Sequence, residues 1–110
     1  MNIYSIPDLA TKADATRSTR PATAVLHDAP DARLVLFRIE PGQEVPPHVN
    51  SSSVLLTILA GAGVVSGAEG EREVRRGDVI CFEPNELHGM RALEESFVVL
   101  ATITPRPGTR

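Results

Sequence analysis

Short apolar runs recur along the chain at intervals of about ten residues, and none holds a helical period for long. After Pro21, apolar residues nowhere repeat at i, i+3, i+4 and i+7 for more than two turns. Runs rich in Val, Ile, Leu, Thr and Phe are instead separated by Gly, Pro, Asn and Asp. Strands joined by tight turns give this pattern, and it predicts an all-β sandwich or barrel.

The predicted strands are Ala22–His27, Arg33–Glu40, Val54–Ala60, Val64–Ser66, Arg72–Val74, Asp78–Phe82, Leu87–Ala92 and Phe97–Thr104. Val54–Ala60 is an almost unbroken apolar run and reads as central. Val64–Ser66 and Arg72–Val74 form a hairpin across Gly67-Ala68-Glu69-Gly70. Turns fall at Asp28–Asp31, Pro41-Gly42, Pro84-Asn85 and Leu93–Glu95. Residues 1–20 read as an N-terminal arm, with one short helical turn at Pro7–Ala10 and a polar stretch over Thr11–Arg20. Residues 21–104 form the barrel, and the tail 105–110 opens with a proline that cannot continue a central strand.

Composition narrows the function classes. At 110 residues the chain is one domain, long enough to bury roughly 65% of its unfolded surface. The net charge is -3 and aromatic residues make up 4%, which argues against phosphate-backbone binding and against a stacking platform for bases. No nucleic-acid partner is expected. No apolar run approaches the ~20 residues of a membrane helix, and the start does not read as a signal peptide. Cys81 is the single cysteine, so no internal disulfide can form and a reducing, cytoplasmic setting fits best. Lys and Arg together number 11, of which only Lys12 is lysine; arginine codons are often GC-rich, which points to a bacterial source.

Two segments carry candidate chemistry: Gly42 to Gly61, containing His48, Asn50 and Val54, and Gly77 to His88, containing Glu83, Pro84 and Asn85. Here the chain resembles the cupin superfamily of small jelly-roll barrels. The first cupin motif runs Gly, five residues, His, one residue, His, three or four residues, Glu, six residues, Gly. Gly42, His48, Asn50, Val54 and Gly61 fall at those spacings. In the second motif Gly77 and His88 match. Glu83, Asn85 and Ala92 stand where Pro, Gly and Asn are usual, and a proline follows one residue late at Pro84. The resemblance spans about Arg33 to Ile103. It is specific for fold and much less so for function, because cupins include dioxygenases, isomerases, epimerases, storage proteins and sensor domains.

The resemblance implies a metal site in which three or four N/O ligands point inward and leave open positions. His48, Asn50 and Val54 differ by even numbers, so one continuous pleat would aim them the same way. His48 and His88 are kept, Asn50 replaces the second His, and Val54 replaces the Glu. The candidate metal ligands are therefore His48, His88 and Asn50. The candidate cofactor is a divalent transition metal (Zn, Ni, Fe or Mn), and a pocket without metal is the alternative, because no carboxylate would offset the charge.

Other features have plainer readings. His27 reads as a surface or interface residue, and Cys81 as a small buried hydrophobe alternating with Val79. Glu44 lies on the surface or near the pocket mouth. Arg72, Arg75 and Arg76 among Glu69, Glu71 and Glu73 read as a solvated face. The Ser51–Ser53 run reads as loop. Met90 and Phe97 are core residues with a chance of lining the pocket. Tyr4, the one tyrosine, lies in the arm, which leaves an isomerase that pairs His with a Tyr acid poorly supplied.

The expected protein is a cytoplasmic homodimeric cupin whose barrel pocket binds a small organic molecule, with metal-dependent dioxygenase- or isomerase-like chemistry as one branch. A ligand-binding or sensor-like domain without metal is the other, and no catalytic residue is assigned. Leu55, Thr57 and Leu59 are expected to face outward on the central strand and to want a partner surface.

Overall fold

The computed structural model describes residues 1–12 and 19–107. Most of the expected polar stretch over Thr11–Arg20, and the end of the 105–110 tail, lie outside the described residues. One helix, α1 (Ile6–Lys12), is followed by nine strands. They are β1 (Ala22–Ala29), β2 (Ala32–Ile39), β3 (Glu44–His48), β4 (Ser53–Ala60), β5 (Ala62–Gly67), β6 (Gly70–Arg75), β7 (Val79–Phe82), β8 (His88–Ala92) and β9 (Phe97–Thr104). The helix is longer than the single turn the sequence suggests. Pro7 sits in its first turn, where a missing N–H costs nothing.

The strands make two antiparallel sheets, a five-stranded one in the order β1-β2-β9-β4-β7 and a four-stranded one in the order β3-β8-β5-β6. Strand β4 shows the alternation behind this: Val54, Leu56 and Ile58 are buried, while Leu55, Thr57 and Leu59 are half-buried on the other face. The two inner faces enclose one core. Phe97, Ile39, Ile58 and Val99 are fully buried and fill one end of it. Gly63 makes that packing possible, because a Cβ there would lie 2.5 Å from the Phe97 ring and 2.6 Å from the Arg91 carbonyl. The other end, around Val54, Met90, Ala101 and Ile103, is not filled, and a cavity remains.

Two expectations are corrected. Strand β3 (Glu44–His48) falls where the sequence predicts no strand, between Arg33–Glu40 and Val54–Ala60. Its Pro46-Pro47 pair discourages a strand reading, yet β3 is an edge strand, where a missing N–H need not break a ladder. Cys81 is exposed. In Val79-Ile80-Cys81-Phe82 both faces are apolar, so alternation alone does not choose the inward set. Ile80 and Phe82 pack on the core, and Val79 and Cys81 face out. Among the described residues, no helix is long and apolar enough to cross a membrane.

Candidate functional site: a paired-imidazole pocket

The first histidine arrives on a distorted strand. In the β3–β8 ladder Val45 pairs with Met90 and His48 with His88, so Pro46 and Pro47 together face the single residue Gly89. This two-against-one bulge turns the end of β3 and re-aims His48. Gly89 lets the bulge approach: a Cβ on it would lie 2.9 Å from the Pro47 nitrogen and 3.0 Å from the Val45 carbonyl oxygen.

The result is a close pair of rings. The imidazoles of His48 and His88 have centroids 4.4 Å apart, tilted by 58°. Phe82 stacks on His88 at 4.9 Å and 26°. Each Nδ1 faces a backbone carbonyl two residues upstream, Pro46 O at 3.0 Å for His48 and Glu86 O at 2.9 Å for His88. A carbonyl oxygen only accepts, so both Nδ1 atoms carry the hydrogen and donate. In the neutral ring this leaves both Nε2 atoms with a free lone pair. It is the tautomer that metal-ligating histidines hold.

The Glu86 carbonyl is placed by a tight turn. Glu83 N donates to Glu86 Oε1 at 2.9 Å, and Glu86 N donates to Glu83 O at 3.1 Å. Asn85 takes φ 65° in that turn, a conformation Asn tolerates. Its N–H donates to Asn50 O at 2.7 Å, which ties this turn to the segment between β3 and β4.

The cavity is about 50 Å³, room for roughly four waters, since one needs about 10–15 Å³ in the same measure. Its walls are Phe37, Val45, Val54, Leu56, Gly89, Met90, Ala101 and Ile103, with His48, His88 and Asn50 as the polar members. His88 is only 6% exposed, whereas His48 stands exposed at the rim. Among the described residues no buried side-chain nitrogen or oxygen lacks a partner, so the unbonded Nε2 of His88 is not sealed in the core.

The three candidate ligand positions share this pocket, but not by the continuous pleat the spacing suggests. Strand β3 ends at His48, and β4, carrying Val54, belongs to the other sheet. Val54 reaches the cavity by crossing between sheets. Asn50 sits in the crossing, and its Oδ1 accepts from Ser52 N at 2.9 Å, so the side chain caps its own turn. Ser52 is buried, its hydroxyl donating to Pro105 O at 2.5 Å, and Ser53 already belongs to β4 rather than to a loop. Glu44 is exposed and outside the cavity wall, His27 is exposed beside Asp31 at 3.6 Å, and Tyr4 is exposed. Phe97 is core and Met90 lines the cavity. Sequence reading missed Phe82 and Gly89. The glycine between His88 and Met90 on an otherwise filled strand was the available signal for a close backbone approach.

Two antiparallel sheets around a pocket lined by two histidines match a cupin-type double-stranded β-helix. The Cupin domain family matches residues 35–103, and the chain belongs to that family. Solved structures agree on the fold. An RmlC-like cupin protein from Desulfovibrio desulfuricans is 25% identical, with 96% of this chain and 98% of that one covered and a TM-score of 0.81. A conserved protein with a double-stranded beta-helix domain from Klebsiella pneumoniae is 20% identical, with coverage of 100% and 94% and a TM-score of 0.83. A protein described as a predicted oxalate decarboxylase from Thermotoga maritima is 23% identical, with coverage of 77% and 80% and a TM-score of 0.73. The comparison with curated proteins gave no match.

Cupin folds often bind a divalent metal, and this pocket fits one only in part. The two ring nitrogens suit it. Val54 offers hydrocarbon, the Asn50 oxygen is neutral and already accepts one hydrogen bond, and among the described residues no carboxylate lines the cavity. Among the described residues, no group of three or more His, Cys, Asp or Glu could hold a metal ion. A divalent charge would remain uncompensated against apolar walls, so the donor set does not fit the resident ion of the family.

Proposed function

We propose that this cupin binds a small, largely apolar organic molecule in the barrel pocket through two neutral imidazoles acting as paired electron-pair donors. One observation carries the reading: both Nδ1 atoms face backbone carbonyls, which leaves the Nε2 lone pairs free on two rings that line one apolar cavity. The matching guest has a protic head, such as a phenol or a small carboxylic acid, and a short hydrocarbon body. A few convergent polar groups in an apolar cleft are what small-ligand sites usually offer. Among the described residues, no acid or base besides the two imidazoles lines the cavity, which favours binding over isomerase-type chemistry. The protein acts as a homodimer in this reading.

A second reading, a divalent ion (Zn, Ni, Fe or Mn) on His48 and His88 with Asn50 as third donor, is favoured by the ligating tautomer and opposed by the missing carboxylate. It carries the dioxygenase- or isomerase-like branch of the family. The test is proton NMR of the histidine ring resonances while phenol and short-chain carboxylic acids are added. Saturable shifts at His48 and His88, lost in His88→Phe, support the proposal. Unmoved rings with every probe at millimolar concentration overturn it.

A further inference from the structure

A second cleft opens between the β5–β6 hairpin and β7, apart from the barrel pocket. It holds about 190 Å³, against about 50 Å³ in the barrel. Val65, Ile80 and Phe82 give it an apolar wall, and Arg72, Glu69 and Glu86 bring charge to it. Strand pairing turns Arg72 this way. Arg72 pairs with Val65 across β5–β6, and paired residues project from the same face of a sheet. Val65 belongs to the core, so Arg72 shares the cleft side. Its neighbour Glu71 projects from the opposite face, where it meets Arg91 at 3.5 Å. Among the described residues Arg72 has no hydrogen-bond or ion-pair partner.

Glu86 supplies the opposite charge. Its Oε1 accepts from Glu83 N at 2.9 Å, and its Oε2 has no partner among the described residues. A Cβ placed on Gly67 would stand 3.9 Å from that Oε2 and 3.6 Å from the Phe82 ring. The missing side chain of Gly67 therefore leaves a gap where a free carboxylate oxygen and an aromatic ring converge.

We infer that this cleft binds a free α-amino acid with an apolar side chain. Arg72 takes the carboxylate, Glu86 Oε2 takes the ammonium, and the hydrocarbon rests on Ile80 and Phe82. The two unpaired charges decide the class. A plain anion would meet Glu69 and Glu86, and a plain cation would meet Arg72. Like charges set side by side suppress a partner, whereas a zwitterion answers both signs at once. A guanidinium also matches a carboxylate with two parallel hydrogen bonds. The volume has room for roughly a dozen waters, enough for a guest of this size. Phe82 stacks on His88, so occupancy of the cleft reaches the ring that lines the barrel pocket.

The test titrates the full chain with L-leucine, L-leucinamide and N-acetyl-L-leucine, read by calorimetry and by the Phe82 and His88 ring resonances. The amide lacks the carboxylate charge and the acetyl derivative lacks the ammonium. The expected result is saturable binding of leucine at millimolar concentration, with both derivatives at least tenfold weaker. Gly67→Ala adds a methyl group at ordinary contact distance, so circular dichroism should not change while leucine binding falls at least tenfold. Arg72→Gln, at an exposed position, should weaken leucine binding at least tenfold and leave leucinamide unaffected. A derivative that binds as tightly as leucine overturns the inference. So does leucine binding that Gly67→Ala and Arg72→Gln both leave intact, or the absence of leucine binding at millimolar concentration. Phenol shifts at the histidine rings without leucine binding would overturn the cleft alone and leave the barrel pocket standing.

Discussion

His48 and His88 face each other directly across the β3–β8 ladder, forty positions apart in the chain, with ring centroids 4.4 Å apart. Their closeness depends on what lies beside them. Gly89 has no side chain to hold the Pro46-Pro47 bulge away, and the Pro46 carbonyl then fixes the His48 ring. The Glu86 carbonyl and the Phe82 face do the same for His88.

Gly89→Ala should therefore separate the rings. The new Cβ would meet backbone atoms of β3 at 2.9–3.0 Å, and the edge strand has to move. Overpacking of this kind costs about 1–3 kcal/mol. Urea unfolding should show that loss, and cross-peaks between the two imidazoles should weaken in NOE spectra. Unchanged cross-peaks would mean that the bulge does not depend on the glycine.

Both rings should also prove to be Nδ1–H tautomers. Nitrogen-15 spectra of the neutral rings should place each Nε2 at the shift of an unprotonated nitrogen and each Nδ1 at that of a protonated one. The reverse assignment at either ring would break its bond to the upstream carbonyl, because two acceptors cannot share a hydrogen bond.

The strand pattern was legible because β4 and β9 carry clear apolar runs bounded by turns, and those strands form the centre of the larger sheet. The β3 strand was not legible, because Pro46-Pro47 reads as a break, and only an edge position with a bulge accommodates it. The inward face of β7 was misread because Val79, Ile80, Cys81 and Phe82 are all apolar. The His48–His88 contact could be reached only through motif spacing, since local sequence says nothing about a partner forty positions away. Asn50 shows a different gap. Its place by the pocket followed from the motif, whereas its Asx turn depends on the sheet-to-sheet crossing.

Asn50→Ala removes the acceptor for Ser52 N at the point where the chain passes between sheets. A net loss of about 0.5–1.5 kcal/mol follows from one hydrogen bond of this kind. Asn50→Asp keeps an acceptor and should recover most of the stability. If Asn50→Ala leaves stability intact yet abolishes ligand binding, the side chain serves the guest rather than the turn.

Val54→Glu tests whether the missing carboxylate is what bars a divalent ion. Val54 is buried and lines the cavity. The variant should bind Zn(II) at least tenfold more tightly than the parent, equivalent to about 1.4 kcal/mol. Its metal-free form should lose about 2–3 kcal/mol, because an unpaired carboxyl is buried. Zn(II) affinity equal to the parent would show that position 54 does not address the two rings.

The outer face of the five-stranded sheet should pair with a second copy. Cys81, Leu55, Thr102 and Leu34 form one cross-strand row there, and Val79, Thr57, Leu100 and Leu36 form the next. Helix α1 lies against β2, and Leu36 is buried, but the row opens toward β7, where Val79 is 59% exposed and Cys81 is exposed. An exposed apolar face of this kind invites association. Light scattering should therefore give about twice 11.8 kDa. Val79→Lys should return the mass to that of one chain with an unchanged circular dichroism spectrum, since the site is solvent-facing within the monomer. In the dimer Cys81 should react slowly with a thiol reagent, and dilution or Val79→Lys should restore the rate. A monomer at micromolar concentration would remove the pairing altogether, and a dimer with fully reactive Cys81 would place it on another face.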